Sequence, residues 1–511
     1  MKKFFDYILR FLMSRIFMVV VIMILQLCLL LMSLYSATFE SQVIRAFFAC
    51  LNIFLTVYIV NRDTNTSYKL AWIILIYFIP VVGGFIYIMF AEHKIPKSLR
   101  TSSMRQLVYG KTEFRNLESI IEFDDDDVEQ EFKYVKNNAY YPYYKNTQVD
   151  YFDSGESYFA DLLEKLKGAK KFIFLEFFIV KEGVMLDQLL EVLKAKVQEG
   201  VEVYFMYDDG GCITCLPKDF DAYLAECGIH TVVFNPISLA LIFLSKYNNR
   251  DHRKICVIDN EYAYMGGLNI ADEYINAIVR FGHWKDTAIV MKGEAVSSLT
   301  IMFIQFYNVF AKEKLAYEPF LSHHISVENN SIVLPFSDSP TDDEDVSRTV
   351  HMNLITKAKK YIYIHTPYLI IDHDMINALT TAAKCGVEVI ITVPQIPDKK
   401  TVFMVTRSNY AALLEGGVKI FEYTPGFIHS KVFIVDDKIA LCGTINMDYR
   451  SYFLHYECGT LIAFDEVIQK MKEDYIRTLT VSEEITLSTV LRTNILVRMC
   501  QAILSVFAPL F

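Results

Sequence analysis

The chain lacks an excess of positive charge. Its 50 Lys and Arg residues are outnumbered by 60 Asp and Glu, which gives a formal net charge of −10 at pH 7. Nucleic acids bind basic surfaces because their phosphate backbone is anionic. A nucleic acid is therefore disfavoured as the main partner of this 511-residue chain.

The ten cysteines lack the spacing of a disulfide framework, and many lie in apolar runs, which is typical of a reducing compartment. One group has zinc-like spacing, Cys212-x2-Cys215 followed by Cys227-x2-His230. Cys227-Gly228 is also typical of a helix end, and this alternative is favoured. The sequence contains no other metal motif.

Three apolar stretches occupy the N-terminal region: Ile16–Leu34, Val43–Val60 and Ala71–Phe90. Each approaches the ~20 residues that an α-helix needs to cross a bilayer. A cleaved signal peptide would be a single such stretch with a small-residue cleavage site. The repeated stretches therefore predict a permanent membrane anchor.

The C-terminal tail, Leu491–Phe511, is apolar with two interspersed arginines. We expect an amphipathic helix lying at the membrane interface, and the alternative is a helix packed on the core. Acidic runs at residues 124–127 and 342–345 are expected to be solvated linkers, with calcium binding as the less favoured alternative.

A short motif occurs twice in the remainder of the chain. Each copy has His, Lys two positions later, four apolar residues and Asp: His252, Lys254 and Asp259 in one copy, and His429, Lys431 and Asp436 in the other. Each copy is followed by a turn of small residues and an Asn, namely Asn269 and Asn446. Two copies with matching tails predict one site built from two halves.

Strand geometry predicts which side chains of each copy face the same side. Residues two apart on a strand face the same side, so His and Lys point into one space. The apolar run predicts a buried strand, and Asp259-Asn260 and Asp436-Asp437 predict turns into a second strand. The Asp lies an odd number of positions beyond the Lys, so we interpret it as bracing the turn rather than contacting substrate.

The duplication extends beyond the motif. Matching segments recur in both halves: 170–174 with 359–363, 200–203 with 386–389, and 228–236 with 417–425. Helical patterns at 186–198 and 375–384 lie between them, each followed by a glycine that ends the helix. Each half therefore reads as an α/β unit. An apolar insert, Ile237–Leu244, precedes the first motif, and is either a buried helix or an apolar wall for acyl chains.

Two imidazoles with Lys and Asn donors suit a phosphodiester. One imidazole attacks phosphorus, the other protonates the leaving oxygen, and the donors hold the equatorial oxygens. A single His-x-Lys on a strand is more often an exposed pair of side chains without a functional role, but a matched pair of motifs favours a functional site. This chemistry requires neither a metal nor another cofactor.

On these motifs the chain resembles the phospholipase D superfamily, and more closely its bacterial cardiolipin synthases. Supporting stretches are 176–178, 284–287, 366–368 and 446–451. The chain departs from the family pattern at Trp284-Lys285-Asp286, where Arg is usual in the middle, and at His455-Tyr456-Glu457, where Asn-Phe-Glu is usual. The second departure is expected to alter the packing of the neighbouring pocket.

The resemblance implies roles for these residues. His252 is expected to be the nucleophile and His429 the acid and then the base, with Asp286 and Glu457 orienting the two imidazoles. Phosphate is expected to bind the two motif lysines and the two asparagines. Glu176, Tyr368 and Arg450 are expected to shape the pocket.

The expected architecture is α/β, with two tandem phospholipase D-like units in a pseudo-twofold arrangement behind an N-terminal transmembrane anchor. We expect five segments: an anchor at 1–95, a linker at 96–140, a first half at 141–335, a second half at 336–486 and an amphipathic helix at 487–511. Basic residues flank the apolar stretches on both sides, and positive residues favour the cytoplasm. Both flanks are therefore expected on the cytoplasmic side, which requires an even number of crossings. The family implies that 43–60 and 71–90 form a transmembrane hairpin. The first stretch then lies at the membrane interface, or the N-terminal positive charges do not decide its orientation.

The resemblance implies transfer of a phosphatidyl group between two phosphatidylglycerol molecules, which yields cardiolipin and glycerol. Phosphatidylglycerol, other anionic phospholipids and the bacterial cell membrane are the expected partners, with the catalytic part on the cytoplasmic face. The oligomeric state stays open.

The first alternative function is a phospholipase D or another phosphatidyltransferase, such as one that forms phosphatidylserine. The second is a non-catalytic membrane scaffold, and the third is a membrane-tethered nuclease.

Overall fold

The computed structural model describes residues 39–62, 64–79, 82–90, 97–117, 121–236, 249–322, 325–342 and 344–510. Of these, residues up to 90 and from 505 onward belong to a small unit, and all others to a large unit. The apolar stretch Ile16–Leu34 and the insert Ile237–Leu244 lie outside the described residues.

The first half of the large unit is built on a seven-stranded sheet in the order β1-β8-β6-β5-β2-β3-β4. Strands β2, β3 and β4 run parallel, and the other neighbours are antiparallel. The bounds are β1 Thr147–Phe152, β2 Phe172–Phe177, β3 Glu202–Asp208, β4 His230–Phe234, β5 Ile255–Ile258, β6 Tyr262–Gly266, β7 His283–Lys285 and β8 Ala288–Gly293.

The second half repeats this strand order and adds one strand: β9-β18-β16-β15-β10-β12-β13-β19. The remaining strands pair as β7 with β14 and β11 with β17. The bounds are β9 Ile332–Asp338, β10 Tyr361–His365, β11 Leu369–Ile370, β12 Glu388–Pro394, β13 Lys419–Tyr423, β14 Gly426–Ile428, β15 Val432–Val435, β16 Ile439–Gly443, β17 Met447–Asp448, β18 Glu457–Ala463 and β19 Ser482–Ile485.

Helices flank both sheets, and the small unit is helical. Their bounds are α1 Phe39–Val60, α2 Thr66–Phe78, α3 Val82–Phe90, α4 Lys97–Asn116, α5 Asp126–Tyr134, α6 Gly155–Lys167, α7 Val184–Gln198, α8 Asp209–Cys212, α9 Phe220–Glu226, α10 Val296–Phe310, α11 Glu318–Leu321, α12 Val346–Lys357, α13 His373–Lys384, α14 Lys400–Ser408, α15 Tyr410–Glu415, α16 Tyr449–Phe453, α17 Val467–Thr480, α18 Leu487–Leu491 and α19 Ile495–Val506.

The expected tandem of α/β units is confirmed by the matching strand orders. The apolar run after each motif lysine forms a fully buried strand, β5 in one half and β15 in the other. The helical patterns become α7 and α13, and Gly200 and Gly386 beyond them adopt φ of +88° and +96°. Glycine suits this left-handed conformation because it lacks a Cβ.

The segment expected to be a linker is helical over much of its length, and its acidic run is not simply solvated. Asp125 accepts hydrogen bonds from the backbone of Asp127 and Val128 and so caps helix α5. Its carboxylate also lies 2.5 Å from Lys438 Nζ. An acidic residue favours a helix N-terminus because the unpaired amides there are partly positive. The acidic run therefore starts a helix that packs on the second half through Val128 and Phe132.

The small unit corrects one expectation about the N-terminal region. The stretch Ala71–Phe90 is not one helix but belongs to two, α2 and α3. Ile79 has non-helical angles of φ −125° and ψ 75° and precedes Pro80. Proline disfavours the helical conformation of the residue before it. Within the ranges given above, no helix has both the length and the apolar character needed to cross a bilayer.

The C-terminal tail contains helix α19, which exposes most of its apolar side chains. Ile495, Leu496 and Ile503 are exposed by 65%, 67% and 58%. None of the side chains of this helix is fully buried. This favours a surface helix over one packed within the core.

Candidate active site

His252 lies just before β5 and is held by the opposite half of the fold. Its Nδ1 lies 2.9 and 3.0 Å from the two carboxylate oxygens of Glu457, the first residue of β18. Its backbone N–H donates to Tyr456 O at 2.9 Å. A carboxylate only accepts, so Nδ1 carries the imidazole proton and Nε2 keeps a free lone pair.

His429 has the reciprocal arrangement. Its Nδ1 lies 2.6 Å from Asp286 Oδ2, and its backbone N–H donates to Lys285 O at 2.7 Å. Strand β14, which leads into His429, pairs in parallel with β7 of the first half. Each imidazole is thus oriented by a carboxylate from the other half, and both histidines lie at the seam between the halves.

Burial and nearby cations keep both imidazoles neutral. Burial lowers the pKa of His252 well below 6.5, and the charges of Lys254 and Lys431 lower it further. For His429, burial and Lys431 lower the pKa to about 4 against the opposing effect of Asp286. A neutral imidazole is the form that can act as a nucleophile or a base.

The two motif lysines have the same local geometry. Lys254 donates to the carbonyl oxygen of His252, and Lys431 donates to that of His429. Burial lowers the pKa of Lys254 to about 8 and that of Lys431 to about 7. Burial thus destabilises the charged ammonium groups, and an anion that enters the site favours their protonated form.

The motif aspartates lie at the far end of the buried strands. Asp259 accepts hydrogen bonds from the backbone N–H groups of Lys170, Lys171 and Phe172 at 2.7–2.8 Å. The four residues of β5, about 13 Å of extended chain, lie between Lys254 and Asp259, so this carboxylate holds a turn at the far end of the strand.

The second motif repeats this pattern. Asp436 accepts from the backbone of Lys359, Lys360 and Tyr361 at 2.7–2.8 Å. Asp436 and Asp437 adopt φ of 56° and 59°, values that Asp and Asn tolerate better than most residues. The structure therefore separates both motif aspartates from the two histidines.

The two asparagines have different surroundings. Asn269 Oδ1 accepts from Ile179 N at 2.9 Å, and its Nδ2 donates to Tyr274 Oη at 2.6 Å. Asn446 Oδ1 is buried without a hydrogen-bond partner among the described residues. Tyr274 also contacts His429, with ring centroids 5.5 Å apart, so Asn269 reaches the site through Tyr274.

Glu176 does not face the histidines. Its Oε1 lies 2.6 Å from Arg253 Nη2, and burial raises its pKa well above the usual range. Arg253, the residue between His and Lys of the first motif, points away from the site and lines a separate cavity of about 230 Å³. Glu176 therefore contacts the first motif through Arg253, on the side opposite the histidine.

Tyr368 and Arg450 lie near the second half of the site. The Tyr368 hydroxyl donates to Asp398 Oδ2 at 2.6 Å, and Lys399 Nζ lies 5.8 Å from its ring centroid. Arg450 accepts backbone hydrogen bonds from Leu454 and His455. This places Arg450 immediately next to the segment that carries Glu457.

Several site residues were missed by the sequence analysis. Thr444 and Ser451 donate to the Glu457 carboxylate, Ser451 at 2.7 Å, and so hold the group that orients His252. Phe178 packs against His252 with ring centroids 5.2 Å apart. All three lie in stretches that carry the family resemblance, which was the available signal.

The zinc-like cysteine spacing does not produce a cluster. Cys212 Sγ accepts a hydrogen bond from Val180 N at 3.1 Å. In the described residues, one group of three or more His, Cys, Asp or Glu side chains has ligand spacing, and it contains none of the cysteines. Helix α9 ends immediately before Cys227, as the favoured alternative predicted.

Comparisons with known proteins gave two family matches and several relatives. Residues 352–479 match the family described as "Cardiolipin synthase, PLD-like domain", and residues 50–91 match "Phospholipase_D-nuclease N-terminal". A protein of Streptococcus mutans is 40% identical over 458 residues, which is 89% of this chain and 98% of that protein.

A cardiolipin synthase of Alkalihalophilus pseudofirmus is 34% identical over 444 residues, which is 85% of this chain and 87% of the relative. The crystal structure of a phosphatidylserine synthase from Haemophilus influenzae has the same fold, with a TM-score of 0.57 at 16% identity. The match covers 74% of this chain and 97% of that one. The chain belongs to the cardiolipin synthase family of the phospholipase D superfamily.

Proposed function

We propose that the protein transfers a phosphatidyl group from one phosphatidylglycerol molecule to another, producing cardiolipin and glycerol. The observation that carries this proposal is the reciprocal pair of buried imidazoles, each with its Nδ1 held by a carboxylate of the other half. Such a pair offers a nucleophile and a proton donor to a single phosphodiester.

In the first step, His252 Nε2 attacks phosphorus and the bond from phosphorus to the headgroup oxygen breaks. His429 gives its proton to that oxygen, and glycerol leaves. In the second step, His429 removes the proton from a headgroup hydroxyl of the second phosphatidylglycerol. That oxygen attacks phosphorus, the bond from phosphorus to His252 breaks, and cardiolipin is released.

The electrostatics of the site suit this sequence of protonation states. With its pKa near 4, His429 is neutral in the free enzyme. An anionic phosphodiester beside it raises that pKa and favours the proton that the first step needs. The anionic phosphodiester likewise favours the protonated forms of Lys254 and Lys431, which bind its equatorial oxygens.

Lipid substrates require contact with a membrane, and the exposed apolar surfaces support this. In the small unit, Phe54 and Phe78 are exposed by 66% and 82%. Helix α19 adds a second apolar surface. We propose that the region up to residue 95 anchors the chain in the bacterial membrane with the catalytic halves, near 141–335 and 336–486, on the cytoplasmic face.

The deciding experiment supplies the purified full chain in mixed micelles with labelled phosphatidylglycerol as the only lipid. Cardiolipin and glycerol in equal amounts are the expected products. Phosphatidic acid instead of cardiolipin would establish hydrolysis. The absence of any lipid product, from protein that is folded by circular dichroism, would refute an enzymatic role.

The two histidines are distinguished by trapping. His252→Ala removes the proposed nucleophile, so no phosphatidyl group should become attached to the protein. Loss of His429 also removes the acid that protonates the leaving oxygen, so the donor in this experiment is a phosphatidyl p-nitrophenol, whose leaving group needs no proton. His429→Ala keeps the nucleophile, so acid-labile label from the phosphate should remain on the protein after an alkaline quench. Label on His252→Ala and none on His429→Ala would reverse the assignment.

A further inference from the structure

A third imidazole lies beside the proposed nucleophile. The ring of His455 is centred 5.5 Å from that of His252 and 6.5 Å from that of Phe178. It is 9% exposed, and its Nδ1 lies 3.7 Å from Glu457 Oε1, which is too far for a hydrogen bond. The side chain of His455 has no role in the proposed reaction.

The imidazole of His455 also lacks hydrogen bonds within the described part of the chain. Neither of its ring nitrogens has a hydrogen-bond partner among the described residues, although both are buried. Buried polar groups are normally paired, and an orphan in a native structure needs an explanation. One ligand atom each from His252, His455 and Glu457 lie within 4.8 Å of one another.

We propose that His252, His455 and Glu457 bind a divalent transition-metal cation, Zn²⁺ in the first instance, and that this cation inhibits the enzyme. Two imidazoles and a carboxylate form a donor set that zinc accepts, with bonds of about 2.0–2.2 Å and a fourth position open to water. Ligand atoms already grouped in this way need only small side-chain rotations to surround an ion.

Inhibition follows from the tautomer that the metal requires. A neutral imidazole carries one proton, and in the active site that proton lies on Nδ1 of His252, facing Glu457. A cation bound to Nδ1 displaces this proton, so the neutral ring carries its proton on Nε2 instead. Nε2 then has no lone pair with which to attack phosphorus. This consequence rests on the proposed role of His252, whereas the metal site itself does not.

The second half of the site cannot form the same cluster. Trp284 lies two residues before Asp286, as His455 lies two residues before Glu457. An indole offers only an N–H donor and no ligand atom. Trp284 packs against His429, with ring centroids 5.4 Å apart. We therefore expect a single strong site, on the His252 side.

The test measures binding first, without lipid, so that it does not depend on turnover. Zn²⁺ is titrated calorimetrically into the full-length protein in detergent, and Co²⁺ replaces it for absorption spectroscopy. The wild type should bind one equivalent tightly, and His455→Asn should lose that equivalent. His373→Asn, which removes an exposed imidazole on α13, is the matched control and should keep it.

Exposed cysteines such as Cys385 and Cys500 can bind zinc nonspecifically, but both variants retain them. Equal Zn²⁺ binding by wild type and His455→Asn would overturn the proposal, as would the absence of a tight site in the wild type. If His455→Asn is not folded by circular dichroism, His455→Gln serves in its place.

Activity supplies the second measurement. The Zn²⁺ concentration that halves the rate should be at least tenfold higher in His455→Asn than in wild type, each relative to its own rate without metal, and chelation should restore the wild-type rate. If zinc binds through His455 without slowing turnover, the binding site stands and the proposed role of His252 fails.

Discussion

Asp286 Oδ2 lies 2.6 Å from His429 Nδ1, although the two residues belong to different halves of the fold. Although burial acts to raise it, the pKa of Asp286 is lowered because His429 and Lys431 favour the charged carboxylate. An ionised acceptor fixes the imidazole with its proton on Nδ1. The carboxylate that orients the histidine of one half therefore comes from the other half.

Asp286→Asn should reduce kcat by about 10²-fold or more, since general acid–base catalysis typically contributes 10²–10⁴-fold. The amide can present its NH₂ group to Nδ1, and this selects the wrong tautomer. The rate is measured with phosphatidylglycerol in micelles, and folding is checked by circular dichroism. Asp272→Asn, which affects a carboxylate that accepts from the backbone of Met185, is the control. A kcat near that of wild type in Asp286→Asn would contradict the orienting role.

Anion binding should take up protons. Lys254 and Lys431, with pKa values of about 8 and 7, lose protons as the pH rises from 6.5 to 9. A bound anion raises both values, so sulfate affinity should weaken by roughly tenfold over this range. Calorimetry in two buffers of different ionisation enthalpy measures the uptake. Lys470→Met, at an exposed lysine, should leave the slope unchanged, and a pH-independent affinity would refute the lysine assignment.

His365 should limit stability in acid. It stacks on Tyr475 with ring centroids 4.3 Å apart, and neither ring nitrogen has a hydrogen-bond partner among the described residues. Burial and then Lys285 lower its pKa well below 6.5. Below pH 6.5 the unfolded chain therefore binds a proton that the folded state rejects, and stability falls with falling pH.

His365→Phe removes this penalty and keeps the stacked ring. The thermal midpoint of the variant, relative to wild type, should be higher at pH 5 than at pH 7.5. His373→Phe, on the surface of α13, should show no such difference. An equal shift at both pH values would mean that His365 does not titrate on unfolding.

The pair Lys285–Asp474 should stabilise the association of the halves. Lys285 Nζ lies 2.9 and 3.0 Å from the two carboxylate oxygens, and both side chains are buried. Removing one partner of a buried pair typically costs about 3–5 kcal/mol. Lys285→Met should approach this loss, reduced because Tyr151 still donates to Asp474 at 2.8 Å.

Thermal denaturation provides the measurement for this pair. The double variant Lys285→Met with Asp474→Leu should recover much of the loss, because it leaves no uncompensated charge. Additive losses in the double variant would show that the pair is not energetically coupled. Lys470→Met, whose partner Asp150 is exposed, should change the midpoint little.

The sequence predicted whatever depends on local pattern. The pattern predicted a buried strand after Lys254, which begins at Ile255, and the Asp after that strand formed the expected turn. The glycines at 200 and 386 marked the helix ends. Local pattern was misleading where tertiary contacts decide, as with Asp125, which caps a helix and pairs with Lys438, 313 positions away.

The amino-acid sequence by itself determined that two histidine motifs are present and that each half is an α/β unit, because both depend on patterns along the chain. The family resemblance, and not spacing, indicated which carboxylates orient the imidazoles. Only the tertiary structure decided that each carboxylate orients the histidine of the other half, and that the imidazole of His455 lies beside His252 without a hydrogen-bond partner in the described part of the chain. Such contacts join residues far apart in sequence, so their geometry depends on how the two sheets pack rather than on any local pattern.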